Sequence, residues 1–286
     1  MNYLRYFGLR ELPFGITPDT NYFFACRSIQ DALNTLVVAV SNGEGFIKIT
    51  GEVGTGKTLL CRKFMSTLDS GWLSAYILNP NLEPRGLLLA LAEELGVPGE
   101  RIEPHKLEKE IAQRLLEVAR QRKRVVLCLD ETQAMPLPTL EAVRLLTNLE
   151  TEKHKLMQVV LFGQPELDKK LALDSVRQLR QRITFQHTLK ALARDEVSDY
   201  VAHRLTIAGY SGPALFTERA LRSIHLASRG VPRLVNILAH KALLVLFGEG
   251  GRQADKRHVR IAVEDTPAAS WRWWWWGRPG SSELMD

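Results

Sequence analysis

The octapeptide Gly51-Glu52-Val53-Gly54-Thr55-Gly56-Lys57-Thr58 constrains this chain more than any other stretch. It fills the pattern G-x-x-x-x-G-K-[ST], follows the β-rich run 45–50 (GFIKIT) and opens an expected helix. A glycine loop in that position curls until its N–H groups converge, and the helix N-terminus adds positive potential at the same point, so the loop suits phosphate oxygens. The chain is thereby committed to an α/β layer in which a strand delivers a nucleotide to a helix. On this reading residues 51–59, from Gly51 to Leu59, bind ATP. Lys57 reaches the β and γ phosphates, and the Thr58 hydroxyl ligates Mg²⁺.

A second element belongs to the same layer. Residues 125–129 (VVLCL) are wholly apolar, as expected of a central parallel strand covered on both faces, and Asp130 and Glu131 stand at their carboxyl end. Ligands of open parallel sheets sit outside the carboxyl ends of the strands. Asp130 is therefore expected to hold Mg²⁺ through water, and Glu131 to polarise an attacking water as general base. Gln164, after the apolar run 159–162, is expected to orient that water or sense the γ-phosphate. One of Arg177, Arg180 and Arg182, just before residue 183, is expected to act in trans on developing phosphoryl charge. Arg233, in Gly230-Val231-Pro232-Arg233, opens a later helix with proline in its first turn and is expected to swing onto bound nucleotide.

Around these residues the chain reads as a doubly wound parallel layer with helices on both faces, followed by a small all-α lid. Ser28 is expected to cap a helix to about Asn42 that carries Ile29, Leu33, Leu36, Val37 and Val40 on one stripe. Residues 72–78 form a strand, helices run over about 85–95, 104–122 and 137–150, and 183–189 alternates as an edge strand does. Past Leu192 only helices are expected, over 194–208, 217–228, 232–247 and 255–263. The division expected is a nucleotide-binding domain over 1–190 that includes an irregular aromatic leader, a lid over 191–265, and a tail over 266–286.

Composition bounds the function class. With 286 residues, 45% hydrophobic and 24% charged, the chain can bury a large and a small core. Cys26, Cys61 and Cys128 lack any CxxC spacing, which points to reduced, buried thiols rather than a metal site or disulfide. No apolar signal-like region opens the chain and no run of about 18 apolar residues occurs, so a cytosol-facing protein is expected. A net charge of +6 permits, without requiring, contact with nucleic acid or an anionic membrane.

Several short motifs occur together: Tyr6-Phe7-Gly8-Leu9, Pro13-Phe14, Thr17-Pro18-Asp19, Tyr22-Phe23, the loop 51–58, Asp130-Glu131-Thr132-Gln133, Phe162-Gly163-Gln164-Pro165-Glu166-Leu167 and Gly230-Val231-Pro232-Arg233. In this set the chain resembles the ExeA/GspA-type AAA+ secretion ATPases, most nearly the branch serving MSHA pilus biogenesis, over about residues 3–265. The resemblance implies an AAA+ fold, ATP hydrolysis, homo-oligomers, and work beside the inner membrane with assembly proteins of a type II secretion or type IV pilus complex. It implies sensor 1 at Gln164 and sensor 2 at Arg233, and it ranks Arg182 ahead of Arg180 because AAA+ fingers lie near the end of that helix. Larger relatives continue through a membrane span into a periplasmic peptidoglycan-binding domain, whereas this sequence runs to Asp286.

Two features stand outside that pattern. Residues 271–276 (WRWWWW, Trp271 to Trp276) suit a membrane–water interface, with Arg272 and Arg278 toward anionic headgroups; a partner-docking peptide and accidental composition are the alternatives. The basic run Arg120-Gln121-Arg122-Lys123-Arg124 would serve a DNA-associated AAA+ ATPase of the transposition-regulator type, the competing function class, although no base-reading module is recognisable. Cations at a helix C-terminus are favourable in any case.

Overall fold

The computed structural model describes residues 3–98, 104–148 and 155–269. In chain order the elements are α1 (Tyr3–Phe7), α2 (Arg27–Ser41), β1 (Phe46–Gly51), α3 (Lys57–Thr67), β2 (Trp72–Ile77), α4 (Pro84–Glu94), α5 (Pro104–Arg120), β3 (Arg124–Leu129), α6 (Leu137–Leu146), β4 (Met157–Gly163), α7 (Glu166–Leu171), α8 (Arg177–Arg182), β5 (Ile183–Leu189), α9 (Arg194–Ile207), α10 (Glu218–Ser228), α11 (Pro232–Gly248) and α12 (Lys256–Glu264). Short 3-10 turns lie at Thr20–Tyr22, Thr132–Ala134 and Asp174–Val176. The chain divides into two compact units: residues 25–190, and the leader to residue 24 joined with everything from 191 onward.

In the first unit all strand pairings are parallel and the order is β2-β3-β4-β1-β5. Every residue of β4, and β3 from Val125 onward, is buried, the continuous apolar signature of interior parallel strands. Alternate side chains serve opposite faces. Val125, Leu127, Leu129, Val159 and Leu161 share one core with Leu87 and Leu91 of α4, Leu107 and Ile111 of α5, and Leu140 of α6. On the sheet's other side α2 lies against β1 and β5, and α3 against β1 and β4. The edge position expected for 183–189 is seen: Thr184, Gln186 and Thr188 are exposed, whereas Ile183, Phe185 and His187 are partly covered. The carboxyl ends of β1, β3 and β4 meet at one end of the layer, and the phosphate loop rises there.

One helix start differs from expectation. The cap of α2 is Cys26, and Ser28 lies inside the first turn. The Ser28 hydroxyl instead accepts the Lys190 N–H at 2.8 Å, satisfying a backbone donor just past the end of β5. Val37 is exposed and Ala32 and Ala39 are buried, so the inward stripe is Ile29, Ala32, Leu36, Ala39 and Val40. Cys26, Cys61 and Cys128 are buried and none forms a disulfide.

The leader is the larger difference. Sequence alone attached it to the α/β domain, but it packs with the helical unit. The Tyr3 hydroxyl meets His240 Nδ1 at 3.2 Å, Tyr6 packs edge-on against Phe247, and Phe14 against Phe216. Arg204 of α9 is buried; its guanidinium donates to Pro13 O, Gly15 O and the Tyr200 hydroxyl and lies 4.4 Å from the Tyr22 ring centroid. A buried cation needs such partners to offset its desolvation. The leader carbonyls that meet this need belong to no regular element, so no periodicity in the sequence marks them.

Gly230 fixes the entry to α11. Its φ is +74°, and a Cβ there would stand 2.0 Å from Leu192 O. The same two residues are joined by Leu192 N–H donating to Gly230 O at 2.9 Å, so the clash is with backbone that cannot yield. Gly230→Ala is expected to destabilise the helical unit by about 3 kcal/mol or more, lowering its thermal transition by roughly 10 °C. A calorimetric midpoint within about 2 °C of wild type would refute this.

Candidate phosphate-loop active site

The site begins where β1 ends. Gly56 precedes the first residue of α3 with φ +99°, a left-handed geometry that glycine adopts at no steric cost and that turns the loop into the helix. Lys57 follows at once. It is buried, and its Nζ donates to Gly51 O at 2.7 Å and Glu52 O at 3.0 Å. Burial lowers its pKa, opposed by the nearby Glu131 and Asp130 carboxylates. The loop therefore holds the Lys57 amino group against its own carbonyls of Gly51 and Glu52. Val53 is half-exposed at the tip, and Gly51 and Thr55 are buried beneath it.

The two acids come from the end of β3. Asp130 is fully buried. Its Oδ2 accepts the Thr58 hydroxyl at 2.6 Å and the Tyr76 hydroxyl at 3.4 Å, and its Oδ1 accepts the Glu131 N–H at 2.9 Å. Burial raises its pKa, and the Thr58 hydrogen bond opposes that rise. Glu131 has φ +54°, a left-handed conformation uncommon for a residue with a side chain and characteristic of functional sites. Its carboxylate is held by two side-chain amides. Glu131 Oε2 accepts from Gln133 Nε2, and from Gln164 Nε2 at 3.0 Å. Gln133 completes the ring: its Oε1 accepts the Gln164 N–H at 3.0 Å.

Thus Lys57, Thr58, Asp130, Glu131 and Gln164 converge. The arginines of α8, expected to act in trans, have their own surroundings within this chain. Arg182 Nη1 donates at 3.4 Å to Arg144 O and at 3.3 Å to Thr147 Oγ1, capping the end of α6. Arg177 and Arg180 are exposed on α8. Arg233 is exposed in the first turn of α11, in the other compact unit. The basic run at the end of α5 has a local use: Arg124 Nη1 donates to Ser41 O at 3.1 Å, and its guanidinium stacks 5.4 Å from the Trp72 ring centroid. The tryptophan-rich stretch 271–276 lies outside the described residues.

Sequence reasoning assigned no role to Tyr76 or Gln133. Tyr76 is brought in by β2 pairing beside β3, opposite Cys128. Gln133 stands two residues past Glu131, and its role depends on β4 lying next to β3. Strand order is the missing signal in both cases.

The donor set suits Mg²⁺. A hydroxyl and a carboxylate oxygen 2.6 Å apart beside a phosphate loop are hard oxygen ligands, and Mg²⁺ characteristically takes one or two protein oxygens together with substrate phosphates. Among the described residues no group of three or more His, Cys, Asp or Glu is placed to hold a metal, so a cage built wholly from such side chains is absent there.

Comparison with known proteins agrees with this geometry. Residues 40–171 match the AAA domain family. The sequence is 40% identical over 262 residues to general secretion pathway protein A of Aeromonas hydrophila, covering 91% of this chain and 48% of that protein; the chain thus spans about half the relative's length. Among solved structures, Cdc6p of Pyrobaculum aerophilum superposes with a TM-score of 0.67 at 17% identity, over 86% of this chain and 70% of that one. Thermotoga maritima RuvB, a Holliday junction branch migration motor, superposes at 0.58 and 17%, over 88% and 73%. At such identities the likeness is one of fold. Sheet order, phosphate loop and paired acids, with these matches, give the chain a P-loop, AAA-like fold, and over most of its length it is similar in sequence to general secretion pathway protein A.

Proposed function

We propose that this chain hydrolyses ATP with Mg²⁺ and couples the nucleotide state to assembly, with itself and with an inner-membrane secretion or pilus complex. The observation that carries the reading is the convergence just described: Thr58 on Asp130, and beside them a strained Glu131 held by Gln164. Lys57 leaves its loop carbonyls for the β and γ phosphates and binds them. Thr58 and Asp130 would hold Mg²⁺, which when bound would supply positive charge to offset that of the phosphates. Glu131, aimed by Gln133 and Gln164, takes the proton of the attacking water. Similarity to general secretion pathway protein A supports a secretion-associated role, and the resemblance of the motif set favours, within that role, type II secretion or an MSHA-like pilus. Among the described residues no helix is long and apolar enough to cross a membrane; residues 271–276 are a stretch of this sequence suited to contact at a membrane surface.

The site still needs a cation opposite the loop for charge developing in the transition state. Arg180 is the first choice, because Arg182 already spends a nitrogen on the end of α6 and Arg180 is exposed to meet a neighbouring subunit. The test mixes two inactive proteins, Arg180→Ala and Glu131→Gln. If each site draws its base from one subunit and its arginine from the next, random mixing restores roughly a quarter of wild-type activity per site. Confirmed mixed oligomers with no recovery would rule out Arg180 as the trans cation, and the same mixture with Arg182→Ala then decides for or against Arg182.

A further inference from the structure

We propose that Lys170 is a positioning residue for the hydrolysis step, clamping the turn that aims Glu131. The inference rests on Glu131 acting as general base. Helix α7 begins two residues after Gln164 and is anchored in the core by Leu167 and Leu171. Its polar side reaches in two directions. Asp168 forms an ion pair with Lys48 on β1, the strand that feeds the phosphate loop. Lys170 is half-buried, and its Nζ donates to both Gln133 O and Met135 O at 2.6 Å.

Those two carbonyls belong to the turn Thr132–Ala134 and the residue after it, and Glu131 is the residue that enters the turn. Glu131 is held left-handed there, a conformation that relaxes unless its surroundings oppose relaxation. Thr132 fixes one side by donating its hydroxyl to Phe162 O at 2.8 Å. Lys170 fixes the other with two charge-assisted bonds, which are short and strong in a half-buried setting. By gripping the main-chain carbonyl of Gln133, it also sets where the Gln133 side-chain amide lies. That amide is the one that spans Glu131 Oε2 and the Gln164 N–H. Lys170 thus acts through Gln133 on Glu131. The local alternative, a lysine that merely caps a turn, predicts a loss of stability with no particular tie to Gln133.

A double-mutant cycle separates the two. ATP affinity, kcat and thermal midpoint are measured for Lys170→Met, Lys170→Arg, Gln133→Ala and Lys170→Met/Gln133→Ala. Lys170→Met is expected to keep ATP affinity within about twofold and to lower kcat about tenfold, with Lys170→Arg recovering most of the loss. In the Gln133→Ala background the same change is expected to lower kcat less than about twofold, because the part it positions is gone. The proposal is overturned if Lys170→Met lowers kcat equally in both backgrounds, leaves kcat unchanged, or acts through ATP affinity. Should Lys170→Met fail to fold, Lys170→Gln, which keeps one donor for the turn, carries the same comparison. Failure of the underlying reading looks different: Glu131→Gln would then turn over normally whatever Lys170 does.

Discussion

Lys57→Ala is expected to bind ATP about 10²-fold more weakly than wild type, or worse, while remaining folded. Lys57 is the one cationic side chain in the loop 51–58, and it is buried with its ammonium group already at the loop's centre. Alanine removes the charge and leaves the backbone cradle, so the remaining N–H groups would hold the phosphates without the counter-charge of the lysine. Two carbonyls, Gly51 O and Glu52 O, also lose their donor. Both lie at the loop, where water can replace it, so the stability cost is small beside the loss of affinity. Titration calorimetry with ATP, together with circular dichroism of the same sample, checks both statements. A folded variant with near-normal affinity would remove the phosphate loop from the account.

Much of this site was legible in the sequence because chemistry fixed its spacing. A phosphate loop must follow a strand and open a helix, and two acids must end another strand of the same sheet. Lys57, Thr58, Asp130 and Glu131 therefore stand where the motif alone puts them. Gln164 was legible for a weaker reason, its place after an apolar strand. What could not be read depends on contacts between elements far apart in sequence. Tyr76 reaches Asp130 only because β2 flanks β3. Gln133 and Lys170 matter only because α7 doubles back on the turn after β3. The left-handed conformation of Glu131 has no signature in a sequence, since glycine or asparagine is what usually marks one. The leader misled for a related reason. Its aromatics announce burial without saying against what, and the answer lay in Arg204, some 190 residues further along. Ser28 shows the same limit at small scale: a serine at a helix start reads as a cap until another backbone N–H, that of Lys190, is found to claim it.

The second large effect separates binding from chemistry. In Glu131→Gln the new amide oxygen can take the place of Glu131 Oε2 and accept from both Gln133 and Gln164, so the geometry of the turn should survive. What is lost is the basicity that takes a proton from water. Hydrolysis should therefore fall at least about 10²-fold, while ATP affinity stays near wild type because Lys57, Thr58 and Asp130 are untouched. With ATP bound and not consumed, the variant should also accumulate in its assembled form. The direct measurement is single-turnover phosphate release from pre-bound ATP by wild type and Glu131→Gln, with bound nucleotide quantified in the same samples. The account predicts full occupancy in both, with release slowed at least about 10²-fold in the variant. Release within a few-fold of wild type at full occupancy would contradict it and take the catalytic base away from Glu131.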